Sequence, residues 1–416
     1  MKLRPGTPLQ IGLRADEAEH DFPVGRLALA DRLAQLEWSP EVIQQGVRVS
    51  PHLYPPEPGL VAARGYAFEG LHGFLADSLP EGWGTLLLRR RLRKLGIRHE
   101  DLSVADRLAL VGSHGRGALV FAPATLPDDD VETLDLDVLA GEARSVMLRE
   151  ESTLADTLAT LGGASGGARP KVHIGFDGEG RISVSQGETA AGHEAWIVKF
   201  AALNDPLDIG PVEFAYAEMA KAAGIVMSPS RLLPSLAGPG YFATRRFDRP
   251  SPGRRLHMVS LAGAIEAPST MPSASYDTLL RATRAITRHD GDVEQVFRRM
   301  VFNVLAHNRD DHTRQHSYLM DSKGEWRLAP AYDLTYSNGP GGEHYLDIGG
   351  EGRQPMRADV DRLGKIHGFT QARIGEVVRD VDDAVSRWRE FAKAAQVEGS
   401  LADIADRLAA VRAAFV

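Results

Sequence analysis

Apolar residues near position 300 recur at the spacing of an amphipathic helix, which predicts a buried helix there. The residues that form this stripe are Val293, Val296, Phe297, Met300, Val301, Val304 and Leu305. Residues 307–316 follow directly and read HNRDDHTRQH, with three histidines, two aspartates and two arginines. Next come SYLM, the turn DSKG and EWRLA, which predict a hairpin. A charged segment between a core helix and a hairpin is held in position, as functional loops are.

Strand patterns concentrate in two other parts of the chain. The segments VGRLALA and LEWS predict short strands within the first 60 or so residues. Residues 161–247 contain five more candidate strands, which are KVHIGF, RISVS, EAWIVKF, RLLPSL and GYFATRRF. A helix is predicted within this region, with its start at Pro211 and its stop at Gly224. From about residue 256 onward helical patterns dominate, so we expect a small sheet with one helix, followed by a helical lobe.

The best candidate for a domain boundary lies near residue 140. The segment FEGLHGFLADSLPEGWGTLLLRRRLRKLGI predicts two helices around a turn at Pro80 to Gly84. The acidic stretch PDDDVETLDLDVLAGEARSVM then predicts a loop that leads into another helix. We therefore expect an N-terminal region over residues 1–140 and a core over residues 141–416. Within the core, the sheet is expected at about 161–247 and the helical lobe at about 248–416.

The composition is that of a globular protein and narrows the choice of function. The chain has 416 residues, of which 43% are hydrophobic and 25% charged. Because it has no cysteine, disulfides, thiol catalysis and cysteine-bound metals are excluded. The absence of a signal-peptide pattern and of a long apolar run predicts a cytoplasmic protein with no membrane partner.

The charge of the chain argues against general binding to nucleic acid. The net charge is −8 at pH 7, whereas nonspecific nucleic-acid binders are basic. One basic stretch, LLLRRRLRKLGIRH at residues 86–99, stands out. We interpret it as a helix with a solvated basic face; the alternative is a docking patch for an acidic partner.

A lysine lies in an otherwise apolar predicted strand. In EAWIVKF, alternation places Lys199 on one face with Ala195 and Ile197. A buried ammonium group needs an anionic partner. The glycine-rich loop GGASGGARPK precedes this strand, and a helix with an early Glu213 follows it. Loop amides can cradle phosphates, the lysine can neutralise them, and the glutamate can hold the lysine.

The charged segment after the core helix supplies the remaining groups for phosphoryl transfer. This reaction needs a carboxylate that orients the attacking hydroxyl and metal ligands beside the phosphates. Protein kinases place the carboxylate in a loop Asp-x-x-x-x-Asn and a metal-binding aspartate after the next hairpin. Here Asp310 begins such a loop, Gln315 stands five positions later, and Asp333 follows the hairpin. The ordered set predicts a kinase-like catalytic centre.

Together these motifs resemble the HipA-like serine/threonine kinases, which are toxins of bacterial type II toxin–antitoxin systems. VGRLAL, VSPHLYP and FLADSLPEGWGTLLL are similar to the family's N-terminal region. The kinase core of the family is matched by GGARPK, WIVKF, VEFAYAEMAKAAGI, RRFDR, NRDDHTRQHSYL and LAPAYDL. The resemblance implies a two-lobed, protein-kinase-like α/β fold. It also implies phosphorylation of a protein serine or threonine with ATP and Mg²⁺.

The same resemblance implies partners and a role for individual residues. The partners would be a small helix-turn-helix antitoxin of the HipB type, operator DNA reached through it, and a substrate such as an aminoacyl-tRNA synthetase. Asp310 would be the catalytic base and Asp333 a Mg²⁺ ligand. Lys199 would bind phosphates and be held by Glu213. The other implied nucleotide contacts are Gly166, Gly167, Ala168, Arg169 and Lys171 over the phosphates, Arg245 and Phe247 along the adenine, Asp248 toward the ribose, and His312 and Tyr332 lining the site.

Two positions depart from the family pattern. Gln315 replaces the metal-binding asparagine, and its side chain is longer by one bond, about 1.5 Å. Because Mg²⁺ demands near-octahedral geometry, the alternative function is a catalytically weakened or inactive kinase-like protein that binds nucleotide or antitoxin. Ser165, a candidate for autophosphorylation, lies one position nearer the double glycine than the family pattern has it.

A metal-hydrolase interpretation takes His312 and His316 as ligands, together with His307 or Asp311. It requires these histidines to share a helix face, whereas the segment is predicted as a loop between a helix and a strand. No glutamate stands between the two histidines. We therefore favour the kinase interpretation and expect His307 and His316 to shape the loop by hydrogen bonding.

Overall fold

The computed structural model describes residues 2–4, 7–15, 20–125, 135–162, 166–177, 182–183 and 192–415. Ser165 and most of the predicted Asp-Gly-Glu-Gly turn lie outside these ranges. The described chain combines three antiparallel sheets with many helices. The predicted α/β fold class, with a small-sheet lobe followed by a mostly helical lobe, is confirmed.

The first sheet is formed by the N-terminal region. Its strands, in the order β4-β3-β2-β1-β5, are β1 Leu9–Leu13, β2 Phe22–Ala30, β3 Leu33–Trp38, β4 Leu60–Ala62 and β5 Leu119–Ala122. Alternate residues of β1 are buried, because one face of the sheet covers a core. Helix α1 (Pro40–Gln45) follows β3, and its N-terminus is capped by the Ser39 side chain. The strands predicted from VGRLALA and LEWS are β2 and β3.

Three helices connect β4 to β5. They are α2 (Gly73–Ala76), α3 (Gly82–Lys94) and α4 (Val104–Val111), with a 3-10 helix at His99–Asp101. The two helices predicted around Pro80 to Gly84 are thus confirmed as α2 and α3. Leu87 and Leu92 of α3 are buried, whereas Arg93 and Lys94 are exposed. The basic stretch is therefore an amphipathic helix with a solvated basic face, as interpreted.

The second sheet carries the predicted strand lysine. Its strands, in the order β7-β6-β8-β10-β9, are β6 Lys171–Phe176, β7 Ile182–Ser183, β8 Glu194–Lys199, β9 Ser230–Leu233 and β10 Tyr241–Arg245. Trp196 and Val198 of β8 pack into a core formed with α3, α5 (Leu136–Leu148) and α6 (Ala155–Gly162). Helix α7 (Ile209–Ala222) contacts β9 and β10. The predicted helix begins two residues before Pro211 and ends two residues before Gly224.

The expected boundary near residue 140 falls inside α5. Leu139 and Val146 of this helix are buried against the second sheet. Because of this packing, α5 belongs with the core region. The division into an N-terminal region and a core region remains a proposal.

The remaining chain contains the helical lobe and the third sheet. The strands β11 His257–Ser260, β12 Ser317–Met320 and β13 Trp326–Leu328 pair in chain order. The helices are α8 Leu261–Ile265, α9 Tyr276–Thr287, α10 Asp290–Leu305, α11 Arg357–Ile366, α12 Gln371–Ser386, α13 Trp388–Ala394 and α14 Leu401–Ala414, with 3-10 turns at Thr313–Gln315 and Pro340–Gly342. The predicted core helix is α10, and the predicted hairpin is β12–β13.

One hydrophobic core joins the helical lobe to the first sheet. It contains Leu27 and Phe74 from the N-terminal region together with Phe297 and Met300 from α10. The charged segment after α10 is therefore fixed by packing on both sides. Of the helices in the described ranges, none is long and apolar enough to cross a membrane.

Candidate active site

Lys199 lies at the centre of the site, in contact with two carboxylates. Its Nζ hydrogen-bonds to Glu213 of α7 and to Asp333. The side chains of Lys199 and Glu213 are only 10% and 3% exposed. Burial alone would lower the pKa of Lys199, but the charges of Asp333 and Glu213 raise it. The structure thus brings together the strand lysine, the helix glutamate and the aspartate after the hairpin.

Asp333 occupies an unusual backbone conformation beside Gln315. Its φ is 57°, in the left-handed region that residues other than glycine seldom adopt. The Gln315 side-chain nitrogen donates a 3.1 Å hydrogen bond to Asp333 Oδ2. Burial would raise the pKa of Asp333, but Lys199, Lys171 and Arg169 hold it well below its ordinary value. Asp333 is therefore an anion directed toward several cations.

Asp333 and Gln315 fit the requirements of a divalent cation. Carboxylate and amide oxygens are the hard ligands that Mg²⁺ prefers. The amide of Gln315 presents its oxygen when the group turns over, because its two ends have the same shape. Across the described ranges, no three or more histidine, aspartate and glutamate side chains gather as a metal site. Two protein ligands leave the other positions to water and phosphate, as is usual for Mg²⁺.

The end of the glycine-rich loop brings two more cations to the site. Lys171 Nζ donates a 2.6 Å hydrogen bond to the Gly166 carbonyl. Burial lowers the pKa of Lys171 to about 8, against the attraction of Asp333. Arg169 pairs with Asp205 at 2.9 Å and lies 3.7 Å from Glu213. Gly167 and Ala168 are exposed, and the Gly167 carbonyl accepts a hydrogen bond from the Trp83 amide.

Asp310 and Asp311 play different parts in the charged loop. The Asp310 side chain is 49% exposed and lies 3.9 Å from His312 Nε2. Partial burial and the nearby Asp333 raise the pKa of Asp310, while His312 lowers it. Asp311 is fully buried and accepts hydrogen bonds from Tyr276, from His344 and from the amide of Tyr345. Asp310 is thus accessible to a substrate, and Asp311 holds the loop in place.

The histidines of the loop have structural contacts. His312 Nδ1 accepts a hydrogen bond from the Arg314 amide and caps the 3-10 turn Thr313–Gln315. His307 Nε2 lies 3.1 Å from the side-chain oxygen of Asn338. His316 is buried where the turn enters β12, and burial lowers its pKa to about 3. Its ring lies edge-on to Tyr276, and within the described chain neither ring nitrogen makes an aligned hydrogen bond, so the hydrogen-bonding role expected for the His316 side chain is not found. His312 and His316 therefore do not share a helix face, as a metal-hydrolase site would need.

The predicted adenine side of the site is only partly assembled. Phe247 and Tyr332 lie with ring centroids 5.5 Å apart and form a ring pair beside Asp333. The Arg245 side chain points to Glu194 and to the Pro250 carbonyl, and its amide donates a 2.9 Å hydrogen bond to the Pro229 carbonyl.

Asp248 differs from its predicted role at the ribose. Its buried carboxylate accepts hydrogen bonds from Arg246, from Arg249 and from the Gly117 amide. Both oxygens are thereby used to join the end of β10 to the segment before β5. The structure assigns Asp248 this structural contact in place of the ribose contact.

Three residues near the site were not singled out by the sequence. Arg314 Nε lies 2.9 Å from Glu81 Oε1, although the two residues are far apart in the chain. Glu81 belongs to the segment DSLPEGWG, whose motif is visible in the sequence but whose position in space is not. Asp205 was also missed, because nothing in the sequence links it to Arg169.

Comparison with protein-family models agrees with the resemblance to the HipA-like family. A family model of the HipA N-terminal domain matches residues 19–122, and a model of the HipA-like C-terminal domain matches residues 163–389. No curated protein matches the chain significantly in sequence.

Among solved structures, one is similar to the chain in fold, and a second matches it over a smaller part. HipA from the Shewanella oneidensis MR-1 toxin–antitoxin complex with HipB and operator DNA superposes with a TM-score of 0.70 and 17% identity, over 97% of this chain and 95% of that chain. The Helicobacter pylori proinflammatory kinase CtkA gives a TM-score of 0.40 and 14% identity over 60% of this chain and 92% of that one. Because the C-terminal domain model alone matches more than half of the chain, the chain belongs to the family of proteins with a HipA-like C-terminal domain.

Proposed function

We propose that the protein is an ATP- and Mg²⁺-dependent kinase that phosphorylates a serine or threonine of another protein. The observation that carries this proposal is the contact of Lys199 with both Glu213 and Asp333, next to Gln315. Protein kinases need a strand lysine paired with a helix glutamate and a metal-binding aspartate close by, and these three residues are in contact here.

Bound Mg²⁺-ATP would supply the phosphoryl group, and the metal would neutralise charge on the phosphates. Lys199 would then exchange its contact with Asp333 for a phosphate oxygen, while Glu213 keeps it oriented. Asp333 and Gln315 would hold the metal, and Lys171 would approach the phosphates from the glycine-rich loop. Phe247 and Tyr332 would contact the adenine end of the nucleotide.

Asp310 would accept the proton of the attacking hydroxyl group. As the new oxygen–phosphorus bond forms, the bond to the leaving ADP oxygen breaks, and the proton passes to the Asp310 carboxylate. Partial burial favours this step, since it raises the pKa of Asp310 and makes the carboxylate a better proton acceptor. His312, 3.9 Å away, limits that rise by its positive charge when protonated.

Transfer of labelled phosphate from ATP tests the proposal. The purified protein should phosphorylate itself or an added protein, and Asp310→Ala should reduce the rate by on the order of a hundredfold or more. Asp310→Ala should keep the rise in melting temperature that Mg²⁺-ATP causes by mass action. A variant as active as the parent protein would exclude Asp310 as the base.

The alternative is a kinase-like binding protein with weak or no catalysis. Gln315 motivates it, because a displaced amide oxygen can leave the metal poorly held. Such a protein would show the Mg²⁺-ATP shift in melting temperature without any phosphate transfer. Absence of the shift at millimolar nucleotide would count against both functions.

We further propose that the protein is the toxin of a toxin–antitoxin pair and acts in the cytoplasm. The partner would be a small helix-turn-helix antitoxin of the HipB type, which would connect it to operator DNA; the Shewanella HipA complex contains both. The substrate would be a translation-related protein such as an aminoacyl-tRNA synthetase. Expression without a partner should arrest growth, and Lys199→Ala or Asp333→Ala should each relieve the arrest. Continued arrest by these variants would separate toxicity from phosphoryl transfer.

A further inference from the structure

The segment from Asp77 to Trp83 lies between the glycine-rich loop and the charged loop after α10. It connects the end of α2 to the start of α3 and belongs to the N-terminal region. We call it the bridging segment. It contacts both loops directly, which no pattern in the sequence predicts.

On one side, the bridging segment fixes the backbone of the described part of the glycine-rich loop, residues 166–171. The Trp83 amide donates a 3.0 Å hydrogen bond to the Gly167 carbonyl. The buried indole of Trp83 donates another, also 3.0 Å, to the Lys171 carbonyl. Gly82 has a φ of 40°, and a Cβ atom there would lie only 2.4 Å from the Gly167 oxygen. The loop backbone therefore rests against the first turn of α3.

On the other side, the bridging segment binds the charged loop through Arg314. The Arg314 side chain is 10% exposed, and its Nε lies 2.9 Å from Glu81 Oε1. Arg314 Nη1 lies 3.6 Å from Asp77 Oδ1. Asp77 is itself fixed by the amide and the hydroxyl of Ser260, at 2.6 and 2.8 Å. Arg314 thus connects the charged loop to a rigid anchor.

Arg314 is also coupled to both candidate metal ligands. Gln315 is its neighbour in the chain. The Arg314 carbonyl accepts a 2.6 Å hydrogen bond from the hydroxyl of Tyr332, the residue before Asp333. A shift of Arg314 therefore moves the two ligands relative to the glycine-rich loop.

A second arginine reinforces the same contact. Arg116 donates a 2.6 Å hydrogen bond to the Asp77 carbonyl. Its guanidinium packs against Gly166, where an added Cβ would lie 2.7 Å from it. It also lies 4.0 Å from Glu81. Glu81 therefore lies between two arginines: Arg116, which packs against the glycine-rich loop, and Arg314, which belongs to the charged loop.

We propose that Glu81 and Arg314 are a positioning pair that sets the place of the glycine-rich loop relative to Gln315 and Asp333. Neither residue is a catalytic residue, since each acts through the loops that it holds. The pair is suited to this task because the mostly buried Arg314 guanidinium is held by the charges of two carboxylates, although its Nε and Nη1 make no aligned hydrogen bond with them. The effect on catalysis rests on the proposed kinase function, whereas the coupling of the two loops does not.

The coupling can be measured on the indole signals of the ligand-free protein. The chain has five tryptophans, and Trp83→Phe identifies the ¹⁵N-indole signal of Trp83. Glu81→Gln and Arg314→Gln should each move this signal and speed its hydrogen exchange by about tenfold. Glu69→Gln is the matched control, because it breaks the pair between Glu69 and Arg107, at 2.7 Å, elsewhere in the N-terminal region. An unchanged Trp83 signal in both site variants would overturn the proposal.

Phosphate transfer supplies the second measurement. Each single variant should lower kcat/KM for ATP by on the order of tenfold or more, with Glu69→Gln unchanged. The double variant Glu81→Gln, Arg314→Gln should be no worse than the poorer single variant, because the two residues act as one unit. Additive losses would contradict the pair. If the indole signal responds but even the parent protein transfers no phosphate, the coupling stands and the kinase function fails.

Discussion

Asp310 and Asp311 are neighbours in the chain, but only Asp310 is accessible from solvent. Their side chains are 49% and 0% exposed. Asp311 accepts hydrogen bonds from Tyr276 and His344, at 2.7 and 2.8 Å, and fixes the loop from below. The loop therefore exposes one carboxylate to solvent and uses the other for its own structure.

This difference predicts that two conservative substitutions affect different properties, one the stability of the protein and the other its phosphate transfer. Asp311→Asn should lower the free energy of unfolding by about 3 kcal/mol, because an amide nitrogen would face hydrogen-bond donors in a buried place. Asp310→Asn should change that free energy by less than about 0.5 kcal/mol and mainly abolish phosphate transfer. Urea unfolding of both variants is the measurement. Equal losses of stability would show that Asp311 does not anchor the loop.

The same anchor should give the protein a dependence on acid. Burial would raise the pKa of Asp311, but His344 and Tyr276 lower it. A carboxylate whose pKa is lowered by folding stabilises the protein above the ordinary pKa of aspartate. That stabilisation is lost as the pH falls through the lowered value. Unfolding of the parent protein and of Asp311→Asn should thus converge in free energy below about pH 4, the ordinary aspartate range. A constant difference between the two proteins would contradict this.

Lys199→Met should lower the free energy of unfolding and weaken the binding of Mg²⁺-ATP. Removing the ammonium leaves Glu213 and Asp333 without their shared cation, which should cost about 3 to 5 kcal/mol of unfolding free energy. Mg²⁺ should recover more of this loss than it adds to the parent protein, because the two carboxylates become open to the metal. The rise in melting temperature with Mg²⁺-ATP should shrink. Differential scanning fluorimetry with and without each ligand measures both effects.

Lys171 predicts a pH dependence of nucleotide binding. Its pKa is lowered to about 8 in the ligand-free protein, so it is mostly charged at pH 7 and mostly neutral at pH 9. Phosphates favour the charged form, and binding therefore takes up a proton. The Kd for Mg²⁺-ATP should rise by up to about tenfold between pH 7 and pH 9. Lys171→Met should bind weakly at both pH values, and an equally steep dependence in that variant would assign the titration elsewhere.

Gln315→Asn tests whether glutamine is a defect at the metal site. The shorter side chain should raise the rate of phosphate transfer and change ATP affinity little, because the metal acts most strongly on charge that shifts in the transition state. Mn²⁺ should help the parent protein more than the variant. The assay compares both proteins in Mg²⁺ and in Mn²⁺. A variant that is slower with both metals would mean that the loop is built around glutamine.

The sequence was informative where chemistry lies on regular elements. Lys199 and Glu213 were predictable because a strand and a helix fix the direction of a side chain from spacing alone. Asp333 was predictable from its place after the hairpin. These three residues meet in the structure: Lys199 of β8 contacts Glu213 of α7 and Asp333 after β13.

The direction of a side chain was not predictable where contacts with distant parts of the chain decide it. Asp248 follows the end of a strand, and its carboxylate turns toward Gly117 because two arginines and that amide need an acceptor. The Arg314 side chain contacts Glu81, which lies 233 positions earlier in the chain. No local pattern encodes either choice, since both depend on how the N-terminal region is placed.

The left-handed backbone at Asp333 restricts how this protein can evolve. Few amino acids accept a φ of 57° at low cost, and asparagine and glycine are chief among them. A substitution at residue 333 that keeps this turn should therefore be asparagine or glycine, whereas a β-branched residue would strain the backbone.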